Sequence, residues 1–171
     1  MTDAVPLDLR TAVRSTGTVR RFLDRSVDDE VVYRVLDDAR FAPSGNNHQP
    51  WRVAVVRDRD LRQRLAEEMR LVWQDYAAAR AAGVQPFVDG ADTGLEPLAV
   101  PNALLDGIDR VPVVLVVAAD RRRIAMMDGQ LERPALTGGA SIYPFCWSIL
   151  LAARERGLGR SEEHTSELQS P

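Results

Sequence analysis

The residues best equipped for chemistry in this chain lie in one loop that runs from Ala42 to Trp51. Between those ends stand Pro43, Ser44, Gly45, Asn46, Asn47, His48, Gln49 and Pro50. Asn47 and Gln49 each carry two amide donors and a carbonyl acceptor, a set that suits a planar, heteroatom-rich ligand. Loops held between rigid elements are where small-molecule sites are usually built. The same residue types also make a tight turn with no ligand at all, and the loop alone leaves both readings open. His48 is the only histidine before residue 160. No Asp or Cys is spaced with it as a triad, and no second His completes a metal site. We therefore expect no catalytic side chain and no metal, with His48 facing solvent. Cys146 falls in an apolar helical stretch and reads as a buried thiol. Gly138, Gly139 and Ser141 open the same helix. Helix-start amides can bind an anion, but a tight turn and cap explain them more simply.

Elements on both sides must hold that loop. Asp28, Asp29 and Glu30 favour a helix start, with Ser26 as a cap, and Val31, Val32, Val35, Leu36 and Ala39 mark its inner face. Pro43 ends this helix near Phe41. The spacing predicts helices over 28–41, 59–80 and 141–156, and strands over 52–56 and 111–119. Asp58 or Asp60 caps the second helix, whose inner side carries Leu61, Leu65, Met69, Val72, Trp73 and Tyr76. Val111 to Ala119 is nearly all apolar, which predicts a central strand buried on both faces. Residues 83–109 lack a steady period and read as the mobile segment, either a lid or a plain connection. Residues 121–137 read as irregular. Gly157 closes the third helix in a left-handed cap. The pattern predicts one domain, with a mixed sheet covered by helices.

Composition narrows the function classes. The chain has 171 residues and a net charge of −3, so nothing points to nucleic acid or an anionic membrane. It has no lysine, and its Arg and Ala abundance fits a GC-rich bacterial genome. The runs Arg20-Arg21 and Arg121-Arg122-Arg123 are accordingly weak evidence for a phosphate site. A single Cys fits a reducing cytoplasm. The absence of a long apolar run leads us to expect a soluble, cytoplasmic protein.

The order Arg20-Arg21-Phe22, Val27, a helix from Asp28 to Arg40, the Pro43–Trp51 loop and Val53 to Asp58 resembles the N-terminal half of the nitroreductase family. A weaker likeness covers Val111 to Ala119 and Gly138 to Gly159. The resemblance implies an α+β fold, a three-layer α/β/α sandwich with a mixed, mainly antiparallel sheet. It implies flavin mononucleotide (FMN) as cofactor and NAD(P)H as electron donor. Hydride would pass through the flavin to a small-molecule substrate such as a nitroaromatic or quinone. It also implies a homodimer. By resemblance Arg20 reaches the pyrimidine end of the flavin, Thr18 takes the place of a phosphate-binding Ser, and Pro43, Ser44 and Gly45 lie along the ring. Asn47 occupies a polar position near the site, and Gln49 supports the loop. The family usually has an Arg two residues before that Ser. Here the residue is Thr16, followed by Gly17, and Arg14 or backbone N–H groups would have to substitute. That departure keeps a second reading alive, a flavin-binding or interaction module without turnover. An inactive fragment of such an enzyme is a third.

From Arg160 the composition changes abruptly, and residues 160–170 read as a translated sequencing-library adapter. We expect residues 1–159 to be the domain, incomplete at its C-terminus, and 160–171 to be an artefactual tail that packs against nothing. Family members carry a flavin N5 donor and further phosphate ligands in a segment after the equivalent of Gly157-Leu158-Gly159.

Overall fold

The computed structural model describes residues 7–84, 94–124, 126–132 and 137–161. The described chain falls into two packed units. The first takes in the chain up to Val19, Arg25–Val55 and Leu115–Ser161; the second takes in Arg20–Asp24 and Val56–Val114.

The first unit is built around two helices and a strand pair. Helix α1 spans Leu9–Ser15 and is capped by the Asp8 carboxylate, which accepts from Thr11 N–H at 3.0 Å. Helix α2 spans Asp29–Ala39, with Asp28, not Ser26, at its N-cap position. The acidic pair Asp29 and Glu30 fills its first turn, where the helix dipole favours negative charge. Strand β1 spans Trp51–Val56 and β2 spans Val114–Ala119. They form a two-stranded sheet. Asp120 N–H, just past β2, donates to Pro50 O, just before β1, at 2.7 Å. The end of one strand therefore lies beside the start of the other, and the pair is antiparallel. Helix α4 spans Tyr143–Glu155 and has Pro144 in its first turn, where no N–H is missed.

The sequence periods explain the packing. Val35 and Ala39 of α2 meet Phe145, Ile149, Ala152 and Ala153 of α4, and Trp51 of β1 completes the buried cluster. Val53, Leu115 and Val117 pack against it in the alternate register of strands. The Trp51 and Phe145 rings stack with centroids 4.4 Å apart and planes 5° from parallel. Helix α4 ends as expected at Gly157, whose φ is +74°. Gly157 N–H bonds Arg154 O at 3.0 Å and Leu158 N–H bonds Ala153 O at 2.9 Å, the paired bonds of a Schellman cap.

In the second unit, helix α3 spans Arg59–Ala81, with Asp58 accepting from Leu61 N–H at 2.8 Å. Ala66 packs with Leu104, Leu105, Ile108 and Val111, and Met69 and Trp73 lean on the same cluster. Trp73 is therefore a packing residue, and its indole N–H donates to Val100 O at 3.1 Å. Leu61 is exposed, contrary to its place on the expected inner face. Two further expectations change. Residues 85–93 of the supposed mobile segment lie outside the described residues, but Leu105–Arg110 is a built 3₁₀ helix. Its start is fixed by Asn102 Oδ1, which accepts from Leu104 and Leu105 N–H groups at 3.1 and 3.2 Å. The strand expected over 111–119 begins only at Val114 and is half-buried, with Ala118 and Ala119 exposed. Pro112 lacks an N–H for the ladder, and among the described residues β2 pairs with β1 alone.

Candidate functional site

The Pro43–Gln49 loop leaves α2 and enters β1 in a closed, self-bonded form. Ser44 O accepts from Asn47 N–H at 2.9 Å, and Gly45 O accepts from His48 N–H at 3.0 Å. Ser44 Oγ accepts from Gln49 N–H at 3.0 Å. Gln49 Nε2 donates to Arg40 O and to Asn47 Oδ1, both at 3.3 Å, which ties the loop to the end of α2. Three residues without the freedom of glycine hold left-handed backbone here: Asn46 at φ +50°, Asn47 at +54° and Gln49 at +45°. Asn tolerates that region better than most residues, but Gln does so at a cost that its bonds must offset. Pro50 is fully buried beneath the loop.

This pattern decides what the loop can offer a ligand. The N–H groups of Gly45, Asn47, His48 and Gln49 are all consumed inside the protein. The side chains of Asn46, Asn47 and His48 are exposed, as are Pro43 and the open Cα face of Gly45. A Cβ added at Gly45 would meet only Ser141 Oγ, at 3.8 Å. The exposed amide side chains of Asn46 and Asn47 remain as the loop's donors to a ligand. The donor set fits the polar edge of an isoalloxazine.

The remaining expected residues lie elsewhere on the chain. Thr18 is exposed in the first unit, held between two bonds from one residue. Arg160 Nη1 donates to Gly17 O, and Arg160 O accepts from Val19 N–H at 2.9 Å. Thr16 donates its hydroxyl to Ala12 O, so that proton is engaged within the chain. Arg20 and Arg21 are exposed and belong to the second unit. The structure thus brings Pro43, Ser44, Gly45, Asn47 and Gln49 together as one loop, with Thr18 in the same unit.

Two residues make contacts that their sequence context does not announce. Ser141 Oγ accepts from Gly45 N–H at 3.1 Å across ninety-six residues of chain. Arg160 was set aside as tail, yet its Nε donates to Leu150 O at 3.0 Å. Its Nη2 is buried with no partner among the described residues. Desolvation and the nearby Arg154 lower its pKa. Residues 162–171 lie outside the described residues.

Asp120 organises the turn that follows β2. Its carboxylate caps Arg121–Arg123 through Arg122 N–H at 3.2 Å and pairs with the Arg122 guanidinium at 3.0 Å. Those bonds, Arg122's side chain first, pull its pKa down to about 2. No group of side chains suited to a metal occurs among the described residues. No described helix is long and apolar enough to cross a membrane.

The α+β architecture is shared with solved flavoproteins. Iodotyrosine deiodinase bound to FMN and 3-iodo-L-tyrosine superposes with a TM-score of 0.65 at 20% identity, over 95% of this chain and 77% of that one. The family profile described as "Nitroreductase family" matches residues 13–161, and the chain belongs to that family. A 5,6-dimethylbenzimidazole synthase of Rhodospirillum rubrum is 32% identical over 82% of this chain and 61% of its own length. The nitrobenzene nitroreductase of Ectopseudomonas oleovorans is 43% identical over 26% of this chain and 19% of its own. The chain spans less than two thirds of the length of the curated relatives it matches.

Proposed function

We propose that this protein is an FMN-dependent reductase that oxidises NAD(P)H and reduces a small acceptor such as a nitroaromatic or quinone. Bound FMN would supply the chemistry, taking up hydride from the nicotinamide and handing it on. The observation that carries the reading is the Pro43–Gln49 loop, whose N–H groups are bonded within the protein while the amide side chains of Asn46 and Asn47 stand exposed beside Gly45. Pro43, Ser44 and Gly45 would lie along the ring. Asn47 would donate to its polar edge, with Gln49 holding the loop. Arg20 would favour the reduced flavin by placing positive charge at the N1–C2=O end. Thr18 would meet the phosphate. No side-chain acid is required at the hydride step, in keeping with the solvent-facing His48. In many members of the family this loop serves the partner's flavin, so we expect a homodimer with two equivalent sites.

A second reading is favoured by Thr16, whose hydroxyl is engaged within the chain where the family usually has an Arg. In that reading the protein binds flavin without turnover. One experiment separates the two. The purified protein is mixed with FMN, and its absorption is followed as NADPH and then a quinone are added without air. Bleaching by NADPH and recovery with the quinone support the reductase. A flavin spectrum that NADPH does not bleach supports the module, and no flavin spectrum at all overturns both. Light scattering of the flavin-loaded protein tests the pairing, and a loaded monomer would refute a shared site.

A further inference from the structure

We propose that Ser141 is a positioning residue for the flavin loop, an inference that rests on the flavin reading above. Ser141 precedes α4 by two residues and its Oγ accepts from Gly45 N–H at 3.1 Å. Gly45 is exposed, and a Cβ built on it would meet only Ser141 Oγ, at 3.8 Å. The bond therefore fixes the plane of the peptide that a flavin would lie against. It matters because Gly45 N–H is the one of the loop's four bonded N–H groups that finds its partner outside the loop. Asn46, Asn47 and Gln49 all sit at positive φ, a conformation that persists only where the surroundings over-determine it. Gln49 ties the loop's far end to Arg40 O on α2. Ser141 is the tie at the near end, and it comes from the turn that leads into α4. Helix α4 is itself fixed by the Phe145–Trp51 stack, so the reference to which Ser141 anchors the loop is the rigid core.

Ser141 Oγ accepts from the Gly45 peptide, and the proposed role runs through that bond. Losing the bond frees the Gly45 N–H to water and the loop to relax from its left-handed backbone. The loss should appear in flavin affinity far more than in global stability. Ser148 provides the control. It lies on α4 itself, and its Oγ donates to Pro144 O at 2.8 Å, a bond internal to the helix.

The test compares Ser141→Ala, Ser141→Thr and Ser148→Ala with the parent protein. Three quantities are read: FMN affinity by quenching of flavin fluorescence, amide hydrogen exchange at Gly45 without ligand, and thermal unfolding. Ser141→Ala should weaken FMN binding about threefold to tenfold, the range for one lost hydrogen bond. It should speed exchange at Gly45, while its unfolding temperature stays close to that of Ser148→Ala. Ser141→Thr keeps the acceptor and should restore both affinity and protection. Equal FMN affinity in the two alanine variants would overturn the proposal, as would unchanged exchange at Gly45. A fall in affinity matched by a general loss of stability would also overturn it, since the role would then be structural. If the parent itself takes up no FMN, the flavin reading falls and this role falls with it.

Discussion

Arg20 and Arg21 are adjacent, alike in charge and both exposed. If Arg20 faces the pyrimidine end of the flavin, Arg20→Ala should weaken FMN binding and disfavour its reduced form. A charged hydrogen bond sets the scale at ~1–3 kcal/mol. Arg21→Ala should do much less. Flavin titration and redox potentiometry decide the matter, and equal effects would point to a non-specific basic patch. Asp120 gives a second test at this scale. Its carboxyl is lowered from 3.8 to about 2, chiefly by the Arg122 side chain. A depressed carboxyl stabilises the fold above its unfolded value and loses that contribution as pH falls through the folded one. The Arg121–Arg123 turn should therefore hold at pH 5 and loosen between about pH 4 and pH 2. NMR titration of the Asp120 carboxyl should show a midpoint near 2, and Arg122→Ala should move it back toward the ordinary value. The loop itself was legible from residue types, because Asn, Gly, Pro and Ser advertise turns. Ser141 was not, since a hydroxyl that meets its partner ninety-six positions away leaves no local signature.

At the scale of elements, periodicity was a good guide wherever one face was buried. Helix α2, α3 and α4 lie where the 3.6-residue spacing placed them, each with ends a residue or two from expectation. The long apolar run misled at its start, because Val111 is buried by the Leu104–Ile108 cluster and not by a sheet. An apolar run reports burial, and burial does not by itself specify pairing. The first unit should depend on the contact between β1 and α4. Phe145 is 2% exposed and stacked on Trp51, so Phe145→Ala removes a ring from a packed core. The expected loss is ~3–5 kcal/mol, read from urea unfolding. Gly157→Ala keeps the core but forces a Cβ into φ +74°, and nothing within 4 Å opposes it sterically. Its cost should be the backbone term alone, about 1 kcal/mol. A much larger loss would show that Gly157 serves more than the cap.

For the whole molecule, the question is where the family domain ends within this chain. The family profile extends to residue 161, two residues past the Gly159 boundary drawn from composition. Arg160 is bound on both sides, through Leu150 O and the Gly17 and Val19 backbone. Yet it sits poorly for so well connected a residue. One amino nitrogen is buried without a described partner, and the like charge of Arg154 lies close enough to lower its pKa. Gains and penalties of these kinds are similar in size, about 1–3 kcal/mol each, and the partial exposure of Arg160 reduces both. Arg160→Ala should therefore change unfolding free energy by less than about 1 kcal/mol. Deleting residues 162–171, whose sequence holds Leu168 as its one large apolar residue, should change it less still. The two variants are compared with the parent by urea unfolding. A loss above about 3 kcal/mol in Arg160→Ala, comparable with breaking a buried ion pair, would make Arg160 a keystone of the first unit. The reading of Arg160 as the first residue of a foreign tail would then fail.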